Sequence, residues 1–136
     1  MNEPPEFSHW KEAWEWYASQ TGQAYDQLSE GELLQQIEAG RYDGYYTIWY
    51  SLRRKGSLAR SAPVLIEVLR REQGDENNLI RYHCAAALFY LLGYPDEPIP
   101  ALRARVQWAH NGEDDRQAAI DDLERLVQQQ IAGLDT

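Results

Sequence analysis

Three stretches of this sequence carry side chains whose types could do chemistry. His83 precedes Cys84, and an imidazole beside a thiol could form a nucleophile with its base. The stretch HNGEDD, residues 110–115, offers nitrogen and oxygen atoms that could coordinate a metal ion. RYDGYYTIWYSLRRKG, residues 41–56, holds four tyrosines and four basic residues, a composition that could bind a protein or an anion.

Spacing argues against catalysis and against a metal site in the first two stretches. Adjacent residues on a helix diverge by about 100°, so His83 and Cys84 cannot face each other, and we expect Cys84 to be an inert core thiol. The acids after His110 suit the positive end of a helix dipole. No phosphate loop, nucleotide fingerprint or nucleophile elbow occurs. The sequence therefore predicts no enzyme, no cofactor and no metal site.

The distribution of charge sets residues 41–71 apart from the rest of the chain. The net charge of the 136 residues is −9, yet residues 41–71 carry seven basic and two acidic side chains. Acidic surface repels phosphate, so the net charge argues against general nucleic-acid binding. It favours a basic protein as the partner.

Location and size are predicted from three simple features. The start, MNEPPEFSHW, lacks the basic and apolar regions of a signal peptide. The longest apolar run, residues 84–92, is too short to span a bilayer. The lone Cys84 excludes an intramolecular disulfide. We expect a cytoplasmic protein of a single domain, with no membrane partner, that is a monomer or a weak homodimer.

The elements that position these residues are predicted to be helices. Apolar residues recur at helical spacings between Gly, Pro, Asn and Asp, and strand patterns are nearly absent. We predict six or seven helices, at about 8–19, 29–40, 43–55, 62–71, 78–92, 98–108 and 113–132. The run at residues 84–92 is apolar all round, which predicts a helix that is buried on several sides.

Helix ends are marked by capping signals. Ser29 and Glu32 form a capping-box pattern, and Gly40 suits a left-handed cap at the end of the same helix. Ser61 is predicted as the N-cap of the fourth helix, with Pro63 in its first turn, where a missing N–H is tolerated.

Two segments match at an offset of 37 residues. Gly56 corresponds to Gly93, and Pro63 corresponds to Pro100, so each copy consists of a helix, a glycine, a proline and a second helix. Such a period is typical of stacked-helix arrays, because one helix pair cannot bury its apolar side alone.

Residues 81–106, RYHCAAALFYLLGYPDEPIPALRARV, resemble a HEAT repeat of the short bacterial kind that is also found in phycobilisome-lyase-type proteins. The resemblance is carried by Arg81, by AAAL at 85–88, by Leu92-Gly93 and by IPAL at 99–102. Residues 45–69 resemble a degenerate copy. The resemblance implies an all-α fold, a short HEAT-like α-solenoid that binds other proteins. In this arrangement 1–40 are N-terminal capping helices, 41–72 and 78–108 are the two repeats, and 113–134 is the C-terminal capping helix.

The tyrosine-rich stretch places its rings on two sides of one predicted helix. Tyr45, Ile48, Trp49 and Leu52 have the spacing of a core stripe. A second stripe holds Tyr42, Tyr46, Tyr50 and Arg53. Either neighbouring helices cover this second stripe, or it is an exposed strip with the composition of a binding hot spot.

The leading functional hypothesis is a non-catalytic protein–protein interaction module, an adaptor or a small acidic inhibitor, that binds a basic protein. One specific form is an immunity-type protein whose acidic side chains speed association with a basic toxin. The alternative is anion or nucleic-acid binding through the basic, tyrosine-rich segment 41–71. The predicted binding residues are Tyr42, Tyr46, Tyr50, Arg53, Arg54, Arg60 and Arg71.

Overall fold

The computed structural model of this protein describes residue 25 and residues 27–42, 46–94 and 99–134, and within these ranges all regular structure is helical. The helices are α1 (Glu30–Glu38), α2 (Thr47–Lys55), α3 (Leu58–Arg71), α4 (Asn78–Leu91), α5 (Ile99–Gln107) and α6 (Glu113–Leu134). A single 3₁₀ turn, Asp75–Asn77, leads into α4. The all-α prediction is therefore confirmed for these residues, and the predicted helix at 8–19 lies outside them.

α1 begins and ends at the residues that its capping signals predict. The Ser29 side chain accepts a hydrogen bond from the Glu32 N–H at 3.2 Å, and the Glu32 carboxylate accepts one from the Ser29 N–H at 3.1 Å. After the helix, Gly40 takes a φ of +73°, which glycine adopts without a steric penalty. This short helix is thereby closed at both ends.

α2 begins four residues later than predicted. Tyr46 has a φ of +60° and ψ of 23°, a left-handed conformation that cannot continue a right-handed helix, so α2 starts at Thr47. The predicted core stripe is otherwise confirmed, because Ile48, Trp49 and Leu52 are all buried. Tyr45, its fourth member, lies outside the described residues.

The predicted start of α3 at residue 62 is wrong. The helix begins at Leu58, its N-cap is Ser57, and Ser61 and Pro63 both lie inside it. The reason is tertiary: the Glu30 carboxylate reaches across from α1 and accepts hydrogen bonds from the Ser57 N–H and from the Ser61 hydroxyl, the latter at 2.7 Å. A carboxylate at a helix start satisfies N–H groups that would otherwise lack partners, so this helix is capped by a distant residue.

The core lies between α3 and α4. α4 packs against α2, α3 and α5, and α3 packs against α1, α4 and α6. Cys84, Ala85 and Leu88 of α4 are fully buried, as the apolar run predicts. The predicted burial on several sides is confirmed, and the remaining edge of α4 includes Tyr90, which is 46% exposed.

The two predicted repeats differ in detail. α4 and α5 pack against each other as a pair, joined after Gly93, whose φ is +92°. α3 lies against α4, and so does α2. Pro100 is the second residue of α5, whereas Pro63 is the sixth residue of α3. The two prolines that define the repeat therefore occupy different positions in their helices.

Two buried arginines join the carboxyl ends of α3 and α5. Arg81 donates hydrogen bonds to the carbonyls of Gln107, Glu72 and Gly74 at 2.7, 2.9 and 2.7 Å. Arg116 donates to the carbonyls of Leu69 at 2.6 Å and Val106 at 3.1 Å. The last carbonyls of a helix have no partner within it, so guanidinium groups satisfy them here. We call Arg81, Arg116 and these carbonyls the arginine junction.

Charge at the arginine junction is only partly balanced. Glu113 forms an ion pair with Arg116 at 2.5 Å, and this hydrogen-bonded contact lowers the pKa of the Glu113 carboxyl. Burial, and then the positive charge of Arg116, lower the pKa of Arg81. The junction therefore depends on dense hydrogen bonding to carbonyl oxygens as well as on ion pairing.

Candidate protein-binding face

One edge of α4 is exposed and aromatic. Leu79, Tyr82, His83, Ala86 and Tyr90 follow each other at helical spacing, so their side chains line the same edge. Leu79 is 47% exposed and Tyr90 46%, and the other three are half-buried. We call these five residues the α4 face.

Arginines from the helices on both sides lie over the tyrosines of this face. The guanidinium carbon of Arg103, on α5, is 3.8 Å from the centre of the Tyr82 ring. That of Arg53, on α2, is 4.5 Å from the centre of the Tyr90 ring. The negative face of an aromatic ring attracts a cation, so both pairs are favourable and both hold a positive charge beside the face.

Tyr46, the N-cap of α2, contacts the α4 face, and Tyr50 lies one turn further along α2. The Tyr46 ring stacks on His83, with centroids 4.4 Å apart and ring planes 18° from parallel. The Tyr50 ring lies 4.9 Å from the guanidinium carbon of Arg54. Tyr46 is also the one non-glycine residue with positive φ among the described residues.

The helices that form the face and its borders have no negative charge. α2, α4 and α5 together contain six basic residues and no acidic residue. α6 has the opposite character, with six acidic and two basic residues. Because the chain as a whole is acidic, the folded molecule has a positive region that its net charge conceals.

Two of the predicted binding residues, Tyr42 and Arg71, are used inside the fold. The Tyr42 hydroxyl donates to the Glu72 carboxylate at 3.1 Å and accepts from Arg71 at 2.6 Å. Arg71 also donates to the carbonyls of Ile37 and Glu38 at the end of α1. Burial, with a further contribution from Glu72, raises the pKa of Tyr42 to about 12.

Arg60 also contributes to the fold, through α1. Its guanidinium lies 3.7 Å from the Glu30 carboxylate that caps α3. Burial alone would raise the pKa of Glu30, but hydrogen bonds from Ser57 and Ser61, assisted by Arg60, lower it below its usual value. Arg60 therefore supports the link between α1 and α3 and lies apart from the α4 face.

The structure thus divides the predicted set. Tyr46 and Arg53 contact the α4 face. Tyr50 and Arg54 contact each other on α2, and Tyr42, Arg60 and Arg71 contact other parts of the fold. Sequence reasoning missed the members of the face itself and Arg103. The signal was present: tyrosines at positions 82 and 90 share one edge of a helix that has no acidic residue. It was overlooked because the apolar run at 84–92 was predicted to be buried on several sides.

Cys84 lies in the core, and the acids that follow His110 lie in the first turn of α6. Cys84 is fully buried, its thiol donates to the Leu65 carbonyl at 3.2 Å, and burial raises the pKa of the thiol well above its usual value. The inert thiol that the sequence predicts is what the fold contains. Among the described residues, no three His, Cys, Asp or Glu side chains come together as metal ligands would.

A shallow cleft of about 220 Å³ opens where α5 turns into α6. It is lined by Ala104, Arg105, Trp108, His110, Asn111 and Asp115. The Trp108 and His110 rings stack on each other, with centroids 5.7 Å apart. This cleft is separate from the α4 face.

Comparison with protein-family models, with curated proteins and with solved structures gives no match to this chain. Within the part of the chain that the structure describes, none of the helices combines the length and apolar character that a membrane crossing requires.

Proposed function

We propose that this protein is a non-catalytic protein-interaction module, a short HEAT-like helical stack whose α4 face binds another protein. The observation that carries the proposal is the exposure of Leu79 and Tyr90 at 47% and 46%. They are the two large hydrophobic side chains most exposed among the described residues, and both lie on the same edge of α4. Contiguous exposed apolar surface is characteristic of protein-binding sites.

The composition of the face supports a protein as its ligand. Tyrosine and arginine are enriched among the residues that dominate binding energy at protein interfaces. Tyr82 with Arg103 and Tyr90 with Arg53 supply two such pairs, about two helical turns apart on α4. The face is a ridge on a helix, a shape that suits the broad contact of two proteins better than the enclosure of a small molecule.

The basic partner that the net charge favours would bind the acidic helix α6 and not the α4 face. Asp121 and Asp122 are exposed there, but Asp121 already pairs with Arg70 at 2.8 Å and Asp122 pairs with Arg125. The described outer side of α6 also lacks an exposed large apolar residue. Charge without apolar contact speeds encounter more than it adds affinity, so we place the binding surface on α4.

A second candidate function is binding of single-stranded nucleic acid by the same face. Stacked tyrosines next to arginines are also the means by which proteins bind unpaired bases. Against this, Arg60, Arg70, Arg71 and Lys55 of the basic segment all contact other parts of the fold. A labelled oligonucleotide at low salt tests the candidate, and the absence of a shift in fluorescence anisotropy would exclude it.

Site-specific photo-crosslinking tests the proposed function. A photoreactive amino acid replaces Leu79 or Tyr90 in the full chain, and Gln129 on the exposed side of α6 serves as the control position. We expect one protein to crosslink from positions 79 and 90 but not from 129.

The crosslinked protein is then purified and its affinity measured with the wild-type chain. Replacing Leu79 and Tyr90 by serine should weaken binding at least about tenfold, because hot-spot truncations typically cost this much or more. Gln129→Ser should leave the affinity unchanged. Equal crosslinking from α6, or full affinity of the double variant, would contradict the proposal.

A further inference from the structure

The side chains of the α4 face indicate which kind of partner it binds. Its tyrosines are separated by eight residues, which is two helical turns or about 12 Å along the axis. Between them lies Ala86, the smallest side chain on the face, and we call this position between the two larger rings the notch. An apolar side chain from a facing helix could fill this notch in the way that ridges pack into grooves.

Arg103 is held in a fixed orientation beside this notch. Its guanidinium stacks on the Tyr82 ring at 3.8 Å, and its Nε donates to the Gln107 side chain at 3.2 Å. Gln107 is itself held by a hydrogen bond to Asn78. Two supports therefore orient the guanidinium before any partner arrives, which lowers the entropic cost of using it.

The terminal nitrogens of Arg103 indicate which chemical group of a partner this face would bind. Within the described part of the chain, Nε is the one atom of this guanidinium that donates a hydrogen bond. A guanidinium stacked on a ring still presents its N–H edge, which matches the two oxygens of a carboxylate. Since α2, α4 and α5 contain no acidic residue, no carboxylate of these three helices can occupy that edge.

We propose that the partner presents an acidic amphipathic helix to the α4 face. One apolar side chain of this helix fills the notch over Ala86, between Tyr82 and Tyr90, and a carboxylate binds the N–H edge of Arg103. The inference rests on the proposed function, because the α4 face must be the binding surface. A second copy of this chain fits less well in a symmetric contact, since such a contact sets positive borders against each other.

Three synthetic peptides test this chemistry. Each is a fluorescently labelled amphipathic helix of about 18 residues, or five turns. The first has leucines on one side flanked by glutamates, the second has lysine in place of each glutamate, and the third has serine in place of each leucine. We expect the first peptide to bind at least about tenfold more tightly than the other two, and to weaken as salt rises.

Two charge reversals on the same helix show whether Arg103 itself is responsible. Arg103→Glu and Arg105→Glu change the net charge equally, but only Arg103 stacks on a tyrosine of the face. Arg103→Glu should weaken binding of the glutamate peptide at least about tenfold, and Arg105→Glu should weaken it less than about threefold. Arg103→Lys should give an intermediate loss, because lysine keeps the charge without the planar edge. Circular dichroism and urea unfolding establish that each variant is folded.

The outcomes separate failure of this inference from failure of the proposed function. If positions 79 and 90 crosslink a partner whose affinity survives Arg103→Glu, or if the lysine peptide binds as well as the glutamate peptide, the acidic-helix inference is wrong while the binding face remains. If no peptide binds and no partner crosslinks, both are wrong. Self-association that depends on Leu79 and Tyr90, or preferential binding of an oligonucleotide, would also overturn the inference.

Discussion

The α4 face and the arginine junction both depend on guanidinium groups, but the two regions surround these groups differently. At the junction, Arg81 and Arg116 are 2% and 1% exposed, and they donate to carbonyl oxygens at the ends of two helices. At the α4 face, the guanidinium carbons of Arg53 and Arg103 lie over tyrosine rings, and both residues are half-buried. The first arrangement stabilises the fold, and the second leaves the terminal nitrogens of Arg103 as donors for a partner.

This difference shows why a count of basic residues misjudges where a protein binds. Residues 41–71 are the most basic part of the chain, yet Arg70 pairs with Asp121 and Glu124 of α6, and Arg71 donates to α1. The cation best prepared for a partner, Arg103, belongs to a segment that is acidic overall. The surroundings of each guanidinium, which depend on packing, determine its role.

The largest effect is expected from Arg116→Leu. The substitution leaves the carbonyls of Leu69 and Val106 without their donor and removes the ion pair with Glu113, so the free energy of unfolding should fall by about 3 kcal/mol. Urea titration followed by circular dichroism measures the change. Arg125→Leu is the matched control, because Arg125 also pairs with an acid three residues earlier but is 66% exposed. It should lose less than about 0.5 kcal/mol, and equal losses would contradict the structural role of the junction.

Arginine-to-lysine exchanges compare the two regions directly. Lysine cannot reach the three carbonyls that Arg81 contacts, so Arg81→Lys should lower the free energy of unfolding by about 2 kcal/mol. Arg103→Lys loses stacking on a surface ring and one hydrogen bond to the Gln107 side chain, and should cost about 0.5 kcal/mol. Both values come from urea titration. If the two variants are equally destabilised, the distinction between junction and face is wrong.

Tyr42→Phe extends the comparison to Arg71, the third arginine that supports a helix end. Loss of the hydroxyl that links Arg71 and Glu72 should lower the free energy of unfolding by about 1 kcal/mol at neutral pH. The folded-state pKa of Tyr42 is raised from 10.0 to about 12, so its stabilising effect is complete below pH 10 and is lost as the pH rises towards 12.

The pH dependence of Tyr42→Phe supplies its own control. Between pH 10 and 12 the wild type should lose stability faster than Tyr42→Phe, because the variant has no hydroxyl to ionise at this position. Unfolding measured across this range by circular dichroism tests the difference. Parallel curves for the two proteins would show that Tyr42 is not held in the protonated form by the fold.

The smallest effect on stability is expected from the pair Leu79→Ser and Tyr90→Ser. Both side chains are nearly half exposed, so the free energy of unfolding should change by less than about 1 kcal/mol while partner binding is lost. Leu88→Ser, at a fully buried position of the same helix, should cost at least about 3 kcal/mol. If the surface pair is as destabilising as the core variant, the α4 face is part of the core.

Local signals predicted helix ends wherever the chain caps itself. Ser29 and Glu32 are three residues apart and Gly40 follows directly, so α1 could be bounded correctly from its sequence. The prediction failed at α3, where the capping carboxylate of Glu30 is 27 residues from Ser57. No local pattern contains that contact, because it exists only when α1 and α3 pack together.

The sequence by itself determined that the described chain is helical, that Ile48, Trp49 and Leu52 form a core stripe, and that Cys84 is a buried thiol. These follow from the spacing of apolar residues, which acts over a few positions. Only the tertiary structure decided which arginines donate hydrogen bonds to carbonyls at helix ends and which lie on tyrosines at the surface. The carbonyls and the tyrosine rings that these arginines contact belong to other helices, distant in sequence. Packing therefore determines whether an arginine meets a carbonyl that needs a donor or a ring that attracts a cation.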